Sequence, residues 1–168
     1  DQIAALTKVQ MGAMDAAHLA MFTQPQFEKL IAGDALSAVR GSEIKGISDT
    51  NIAALGGAAG KLTAGQVAGL QVSQITSLTN ESFKAFGAAQ IGAITAGQAE
   101  NLVATQLTEL TTKNLQAFKA DAVAKFSSEL ITAISTTDSM QINDFSVAQW
   151  GALGSDQIQS LKNVEELS

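Results

Sequence analysis

The 168-residue sequence lacks cysteine and tyrosine, and it contains one histidine, one proline and one tryptophan. Without cysteine the chain has no disulfide framework, no thiolate nucleophile and no zinc–thiolate site. Histidine is the commonest acid–base group near neutral pH, so His18 alone leaves little material for a catalytic triad or a multi-histidine metal site. An enzyme built on this chain would depend on carboxylates. We therefore predict a non-enzymatic protein with no catalytic residue, no cofactor and no metal site.

Charge and long apolar runs are also scarce. Lys and Arg number 10 against 16 Asp and Glu, which gives a net charge of −6 and disfavours nucleic acid as a partner. No apolar stretch approaches the ~18 residues of a membrane-spanning helix, so we predict no membrane insertion. The start of the sequence lacks the basic and apolar regions of a signal peptide. Because the first residue is not methionine, we expect a processed product or a segment of a longer protein.

A period of eight residues organises the sequence. From Val67 onward one apolar series advances in steps of eight, and a second series follows it three residues later. With 46% hydrophobic residues, agreement at all of these positions in a fixed register has a probability on the order of one in a million. The positions are Val67, Leu70, Ile75, Leu78, Phe83, Phe86, Ile91, Ile94, Ala99, Leu102, Leu107, Leu110, Leu115, Phe118, Val123, Phe126, Ile131 and Ile134.

We predict one repeat array over residues 1–168. It consists of irregular front octads in 1–55, regular octads in 63–134, and an insertion with terminal octads in 135–168. A Gly-rich segment at 56–60 and a Ser/Thr/Asp-rich segment at 135–139 interrupt the period, and such clusters are where chains turn. We interpret both as irregular corners within one array, with domain boundaries as the alternative.

An eight-residue period requires helices that stop and restart. At 100° per residue, a continuous helix would rotate its apolar stripe by about 80° per octad, far beyond the ~20° drift that a coiled coil absorbs. A strand is disfavoured because the apolar residues do not alternate and alanine and glutamine are poor strand formers. A helix of about two turns is marginal alone in water, so stacking must supply the stability.

Candidate helix starts precede many of the apolar pairs. A Thr or Ser is followed three residues later by Gln or Asn, which is the spacing of a capping box. Pro25 falls in the first turn after Thr23, where its missing N–H does no harm. The pairs are Thr7/Gln10, Thr23/Gln26, Ser48/Asn51, Thr63/Gln66, Thr95/Gln98, Thr111/Asn114 and Ser146/Gln149.

These patterns predict an all-α fold, a solenoid or superhelix of short capped helices with one helix per eight-residue repeat. The paired apolar residues are expected to face a common axis. Gln, Thr, Ser and the few charged residues are expected to face solvent. Open ends of such an array would expose apolar edges, so self-association into filaments is a further hypothesis.

Several residues invite a functional interpretation, and for each we prefer a structural one. His18 adjoins an inward position and is predicted to be a partly exposed structural residue rather than a ligand or catalyst. Met11, Met14 and Met21 could form a soft metal-binding or adaptable patch, but two of them occupy apolar slots and are predicted to be core. Trp150 is predicted to be a core or cap residue, with an interface anchor as the alternative.

The carboxylates show no motif either. Paired acids for glycoside or acid–base chemistry would need two carboxyl groups converging in a cleft. Glu165 and Glu166 are adjacent near the terminus, and Asp138 and Asp144 lie in the insertion, but no context indicates convergence. A calcium loop of the Asp-x-Asp-x-Asp-Gly type is absent. We predict that these residues are solvated surface.

Segments 62–70 and 90–98 resemble the tandem L-T-x-x-Q-(I/V)-x-x-L repeats of very large secreted or cell-surface bacterial proteins of the adhesin and haemolysin-like type. The likeness extends over nearly the whole chain and is best from Thr63 to Ile134. The motif describes capping and packing and includes no catalytic residue. The resemblance implies a stalk, spacer or adhesive surface module.

Two functions of different classes follow. The first is a structural or adhesive repeat module of a bacterial extracellular or cell-surface protein, with a protein or surface as its partner. The second is an intracellular, cytoplasmic protein-binding solenoid that acts as a scaffold or adaptor, with residues 135–145 and the Gly-rich segment shaping a groove. Further octads in the same reading frame with a secretion signal would favour the first function. A short standalone frame would favour the second.

Overall fold

The fold is helical throughout the part of the chain that the structure describes. The computed structural model describes residues 2–107, 110–136 and 142–165, with side chains over 2–107, 110–135 and 142–161. Within these ranges there is no β-strand. The α-helices are α1 (Lys8–Ala13), α2 (Ala16–Ala20), α3 (Gln24–Ala32), α4 (Asp49–Ala53), α5 (Ala64–Gly69), α6 (Val72–Ser77), α7 (Asn80–Ala85), α8 (Ala88–Ile91), α9 (Ala96–Ala99), α10 (Ala104–Leu107), α11 (Thr112–Ala117), α12 (Ala120–Val123), α13 (Ser128–Thr136), α14 (Val147–Ala152) and α15 (Ser155–Glu165).

Short 3₁₀ helices take the place of α-helices in some repeats. Together with the α-helices they give one helical element for each octad, as predicted. The 3₁₀ helices are Ile3–Ala5, Ala35–Ala38, Ile44–Gly46, Gly56–Lys61 and Ile142–Asp144.

The backbone between helices explains why each helix ends after one or two turns. Helix α6 ends at Leu78, the second apolar residue of its octad, which adopts extended dihedral angles (φ −64°, ψ 134°). The next residue, Thr79, is also extended (φ −82°, ψ 166°), and it caps α7 by accepting a hydrogen bond from the backbone N–H of Ser82. Two extended residues redirect the chain and start the next helix in the same way after α5, α7 and α11. After α8, α9 and α12 the first residue beyond the helix remains in the αR region.

The apolar pairs form the core, and their predicted inward orientation is confirmed. All eighteen positions of the regular series are at most 4% exposed. One cluster of buried residues runs from Met11 to Phe145 and includes residues from the front, regular and terminal repeats.

The helices pack at a constant spacing along the chain. Each of α5 to α10 contacts the helix three elements further on, so α5 contacts α8 and α10 contacts α13. The irregular front keeps this spacing, since α1 contacts the 3₁₀ helix Ala35–Ala38 and α4 contacts α6. The all-α arrangement of short helices is confirmed, and the repeated contact is compatible with a superhelix in which every turn rests on the one before it.

Glycines allow helices in successive turns of the array to approach closely. A Cβ atom at Gly60 would lie 2.6 Å from the backbone oxygen of Ala85. A Cβ atom at Gly46 would overlap the backbone of Ala16, and one at Gly69 would overlap the carbonyl oxygen of Gly41. These glycines therefore set the spacing between turns.

The sequence predicts that the Gly-rich segment at 56–60 interrupts the eight-residue period, but the structure places a further repeat there. Residues Gly56–Lys61 form a 3₁₀ helix in which Ala59 is fully buried, and Leu62 after it is 3% exposed. Ala59 and Leu62 are therefore an apolar pair of an octad shortened by one residue. Among the described residues only Gly56 has a positive φ, of +46°, a conformation that favours glycine.

The long interval between the apolar pairs before Trp150 also contains a further repeat. Ile142 and Phe145 are spaced as an apolar pair, Phe145 is 5% exposed, and Ile142 packs against the core. The predicted insertion is therefore shorter than expected. Its segment 137–141 lies outside the described residues.

Candidate interaction surfaces

Many helices carry a glutamine at their third position. Its side chain forms hydrogen bonds to the backbone 27 to 34 residues earlier, which we call the preceding turn of the array. In α9 the side-chain oxygen of Gln98 accepts a hydrogen bond from the backbone N–H of Thr95 at 2.9 Å. The Nε2 atom of Gln98 donates to the carbonyl oxygens of Val67 at 2.9 Å and Leu70 at 2.7 Å, at the end of α5. An amide side chain offers two donors and an acceptor oxygen, and here each has a partner.

The same contact recurs along the array, and we call it the glutamine clamp. The carbonyl acceptors lie 27 to 34 residues before the glutamine. The prediction that glutamine faces solvent is wrong for this position, because the amide group bonds to the preceding turn; except for partly exposed Gln90, the clamp glutamines are at most 5% exposed. The clamps are formed by Gln66, Gln74, Gln90, Gln98, Gln106, Gln149 and Gln157.

Shorter or charged side chains replace the clamp in some repeats. Asn51 and Asn114 each donate one hydrogen bond to the preceding turn, to the carbonyl oxygens of Phe22 and Phe86 respectively. Lys61 donates from Nζ to the carbonyl oxygens of Ile31 at 2.9 Å and Gly33 at 3.0 Å, where α3 ends. Asparagine is one methylene shorter than glutamine, which accounts for its single bond.

The first turn of the array carries the clamp residues without the carbonyl partners. The side-chain oxygens of Gln10 and Gln26 accept from the N–H groups of Thr7 at 2.8 Å and Thr23 at 3.0 Å, as in a clamp. Their Nε2 atoms donate no hydrogen bond within the described part of the chain, and Gln10 is exposed.

Apolar residues close to these two glutamines in the sequence are partly exposed. Among the partly exposed residues that pack against the core are Ile3, Leu6, Met14 and Phe22. In the regular repeats the equivalent residues, such as Leu70 and Leu78, are at most 4% exposed. We call Ile3, Leu6, Met14, Phe22, Gln10 and Gln26 the N-terminal face.

The last described repeats also carry partly exposed apolar residues. Ile142, Trp150, Leu153 and Leu161 are partly exposed and pack against the core. The indole of Trp150 lies edge-on to the ring of Phe145, with 6.3 Å between ring centroids. We call Ile142, Trp150, Leu153 and Leu161 the C-terminal face.

Three carboxylates in the front of the chain have a lowered pKa. The pKa of Asp15 falls below 3.8 chiefly because its side chain accepts from the backbone N–H of His18. The pKa of Asp34 falls because the Lys8 ammonium lies 2.5 Å away. The pKa of Glu43 falls below 4.5 because it accepts from the backbone N–H of Ala16, at the start of α2.

The histidine and methionine residues singled out in the sequence are separated by the fold. The His18 ring is exposed and lies 2.6 Å from Asp15, which caps α2. Met11 is fully buried, Met14 belongs to the N-terminal face and Met21 is 79% exposed, so the three do not form one patch.

The candidate acids do not come together either among the described residues. Asp144 accepts a hydrogen bond from the Thr112 hydroxyl at 2.8 Å. Asp138 and the side chains of Glu165 and Glu166 lie outside the described residues. Over the described ranges no group of three or more His, Asp or Glu residues is placed to hold a metal ion, and no helix there is long and apolar enough to cross a membrane.

One open concavity of about 550 Å³ lies beside the 3₁₀ helix Gly56–Lys61. It is lined by Gly57, Asn80, Glu81, Lys84 and Ala85. Its titratable groups are one carboxylate and one ammonium, both on α7.

Comparisons with protein-family models, curated proteins and solved structures find no match. The class of protein is therefore defined by the fold alone, as an all-helical repeat-like protein whose turns are joined by glutamine clamps.

Proposed function

We propose that this chain is a non-enzymatic structural or adhesive module of a bacterial extracellular or cell-surface protein. The observation that carries the proposal is the glutamine clamp, because it commits the recurring polar residue of the repeat to contacts between turns. The repeated motif thus serves packing and capping, and the resemblance of segments 62–70 and 90–98 to repeats of secreted adhesin-like proteins agrees with such a role.

The contacts that recur between helices along the chain suit a building block. A spacer gains length by adding turns, and each added turn would repeat the contacts already present. The partners of such a module are other proteins or a cell surface, and the net charge of −6 disfavours nucleic acid.

Surface labelling tests the proposed location directly. Antibodies against residues 63–134 are applied to intact and to permeabilised cells of the organism that carries the gene. We expect labelling of intact cells. Labelling only after permeabilisation would contradict the proposal and support the intracellular scaffold instead.

Deletion tests the role. Removing the codons for residues 1–168 is expected to reduce attachment or to disturb the surface layer without loss of a metabolic activity. A deletion strain that retains normal attachment and surface structure would count against the structural or adhesive role.

A further inference from the structure

The glutamine clamps stop over three consecutive α-helices and then resume. The helices α8, α9 and α10 each carry a clamp at the third position, and so do α14 and α15. The third residues of α11, α12 and α13 are Asn114, Ala122 and Leu130. Asn114 donates one hydrogen bond to the preceding turn, and the apolar side chains of Ala122 and Leu130 cannot donate any. The helices α11, α12 and α13 contact α8, α9 and α10 respectively, and we call this set of contacts the apolar seam.

Buried apolar side chains take the place of clamp hydrogen bonds at the apolar seam. Leu130 is 1% exposed and Ala122 is fully buried. The stabilisation from apolar burial is roughly proportional to the buried area and has no preferred direction. A clamp instead holds two carbonyl oxygens by hydrogen bonds, which weaken steeply as they bend. The apolar seam therefore holds two turns together without fixing their relative orientation as a clamp does.

The start of α13 has the cap of a clamped helix but not the glutamine. The Ser127 hydroxyl accepts from the backbone N–H of Leu130 at 3.1 Å, as the threonine cap of α9 accepts from the third residue of that helix. Counting back 31 and 28 residues from Leu130 leads to Ala99 and Leu102. Gln98 reaches its own carbonyl acceptors at the same two spacings. A single side chain therefore distinguishes this part of the seam from a clamped contact.

The apolar seam lies between two clamped parts of the array. On one side, clamps from α8, α9 and α10 join these helices to the turn before them. On the other side, the clamps of α14 and α15 bond to carbonyl oxygens of Leu115 in α11 and Val123 in α12. A relative movement of the two parts would leave all of these clamps intact.

We propose that the apolar seam is a hinge, at which α8 to α10 and α11 to α13 tilt or slide against each other while the clamped parts on either side move as units. Small sliding movements of packed helices are an established form of conformational change. In an array whose repeats contact only their neighbours, such a movement requires no rearrangement elsewhere. The inference rests on the proposed structural role and adds the place at which the module bends under load.

Distances between pairs of spin labels test the hinge. The 168-residue chain has no cysteine, so labels attach only to introduced cysteines. Gly65, Gly97 and Glu129 are the exposed second residues of α5, α9 and α13, and neighbouring members of this set are 32 residues apart. A Cβ atom at either glycine meets nothing closer than 4.0 Å.

The two label pairs compare a clamped contact with the seam. Gly65→Cys/Gly97→Cys spans the clamp of Gln98, and Gly97→Cys/Glu129→Cys spans the apolar seam. Pulsed electron paramagnetic resonance on each labelled chain gives the distribution of distances. We expect a narrow distribution for the 65/97 pair and a broader one for the 97/129 pair. Equal widths overturn the hinge.

Replacing the third residue of α13 tests the cause of the movement. Leu130→Gln supplies an oxygen for the N–H of Ser127 and donors for the carbonyl oxygens of Ala99 and Leu102. We expect it to narrow the 97/129 distribution toward the width of the 65/97 distribution. Leu130→Met is the matched control, because it changes the shape of the side chain without adding a donor, and the distribution should stay broad. Narrowing with both variants, or with neither, overturns the role of the missing clamp.

The reciprocal variant Gln98→Leu gives α9 the third residue of α13, and it decides the question even where Leu130→Gln does not fold by circular dichroism. We expect it to broaden the 65/97 distribution. An unchanged 65/97 distribution in the folded variant overturns the hinge. All of these measurements use the purified chain, so that failure would leave the surface-labelling result for the proposed function unaffected. Labelling of permeabilised cells only would in turn leave the measured distances unaffected.

Discussion

At the residue scale, glutamine combines capping with bonding between turns. Half of this role could be predicted from the sequence, since the spacing Thr95/Gln98 indicates a capping box and both of its hydrogen bonds are present. The other half could not, because the acceptors of Gln98 lie 28 and 31 residues earlier. Their identity depends on how many octads form a turn, which the eight-residue period does not specify.

Replacing Gln98 by Glu tests the clamp. The variant keeps an acceptor for the Thr95 N–H but places a second oxygen against the carbonyl oxygens of Val67 and Leu70. Burial and these oxygens raise the pKa of the new carboxyl in the folded state. A raised pKa means that stability is best retained below the unfolded value of about 4.3 and is lost as pH rises. We expect a loss of roughly 2–4 kcal/mol at pH 7 and a smaller loss at pH 4, measured by urea unfolding.

The exposed Gln159→Glu serves as the control for this variant. It makes the same change from amide to carboxylate on α15, where the Gln159 side chain is exposed and has no hydrogen-bond partner within the described part of the chain, so its effect is expected to stay within about 0.5 kcal/mol. A loss for Gln98→Glu that is equal at both pH values would show that the carboxyl does not face the carbonyl oxygens.

Replacing Phe118 tests whether the apolar series of the regular octads faces the core. Its side chain is 2% exposed and its ring lies edge-on to Phe126, with 5.2 Å between ring centroids. We expect Phe118→Ala to lower the free energy of unfolding by roughly 2–5 kcal/mol, because it leaves a cavity in the core. A thermal melt that matches the parent would contradict the assigned orientation.

At the element scale, the sequence predicts where regular helices restart but not how irregular repeats are accommodated. The sequence pattern does not identify Ala59 and Leu62 as an apolar pair, because alanine is only weakly apolar and the octad is one residue short. Their burial depends on the 3₁₀ helix Gly56–Lys61 packing against α7, a contact between residues far apart in the chain. Ile142 and Phe145 were missed because the step before them is longer than eight residues.

A pair of glycines tests how closely the helices must approach. In Gly69→Ala, at the end of α5, the new methyl group would overlap the carbonyl oxygen of Gly41 and lie 3.2 Å from a methyl carbon of Ile44. Because the obstructing atom is backbone, two turns would have to separate. We expect a loss of roughly 1–3 kcal/mol in the free energy of unfolding, measured by urea denaturation.

Gly97→Ala in α9 is the matched control. A Cβ atom there would meet nothing within 4 Å. Alanine is the better helix former, so we expect a gain of up to about 1 kcal/mol. Equal losses for the two variants would indicate that turn spacing does not limit the Gly69 position.

At the scale of the whole molecule, the ion and carboxylate contacts are concentrated in the front. Among the described carboxylates, those with a lowered pKa are Asp15, Asp34 and Glu43. Glu43 joins two turns, because its side chain accepts from the N–H of Ala16 in α2. The regular octads are joined instead by glutamine clamps, which do not titrate. Acid should therefore destabilise the front of the chain before the regular octads.

This difference predicts that acid opens the front first. A carboxylate whose folded pKa is lowered contributes stability above its unfolded pKa, and the contribution is lost as pH falls through the folded value. The loss should thus begin near pH 4.5, the usual value for Glu43, and continue below 3.8, the usual value for Asp15 and Asp34. Hydrogen exchange, corrected for intrinsic rates, should show protection falling in residues 2–55 before residues 63–107. Glu43→Gln keeps an oxygen for the Ala16 N–H without a titrating group, so it should weaken this acid response, whereas a uniform loss of protection would contradict it.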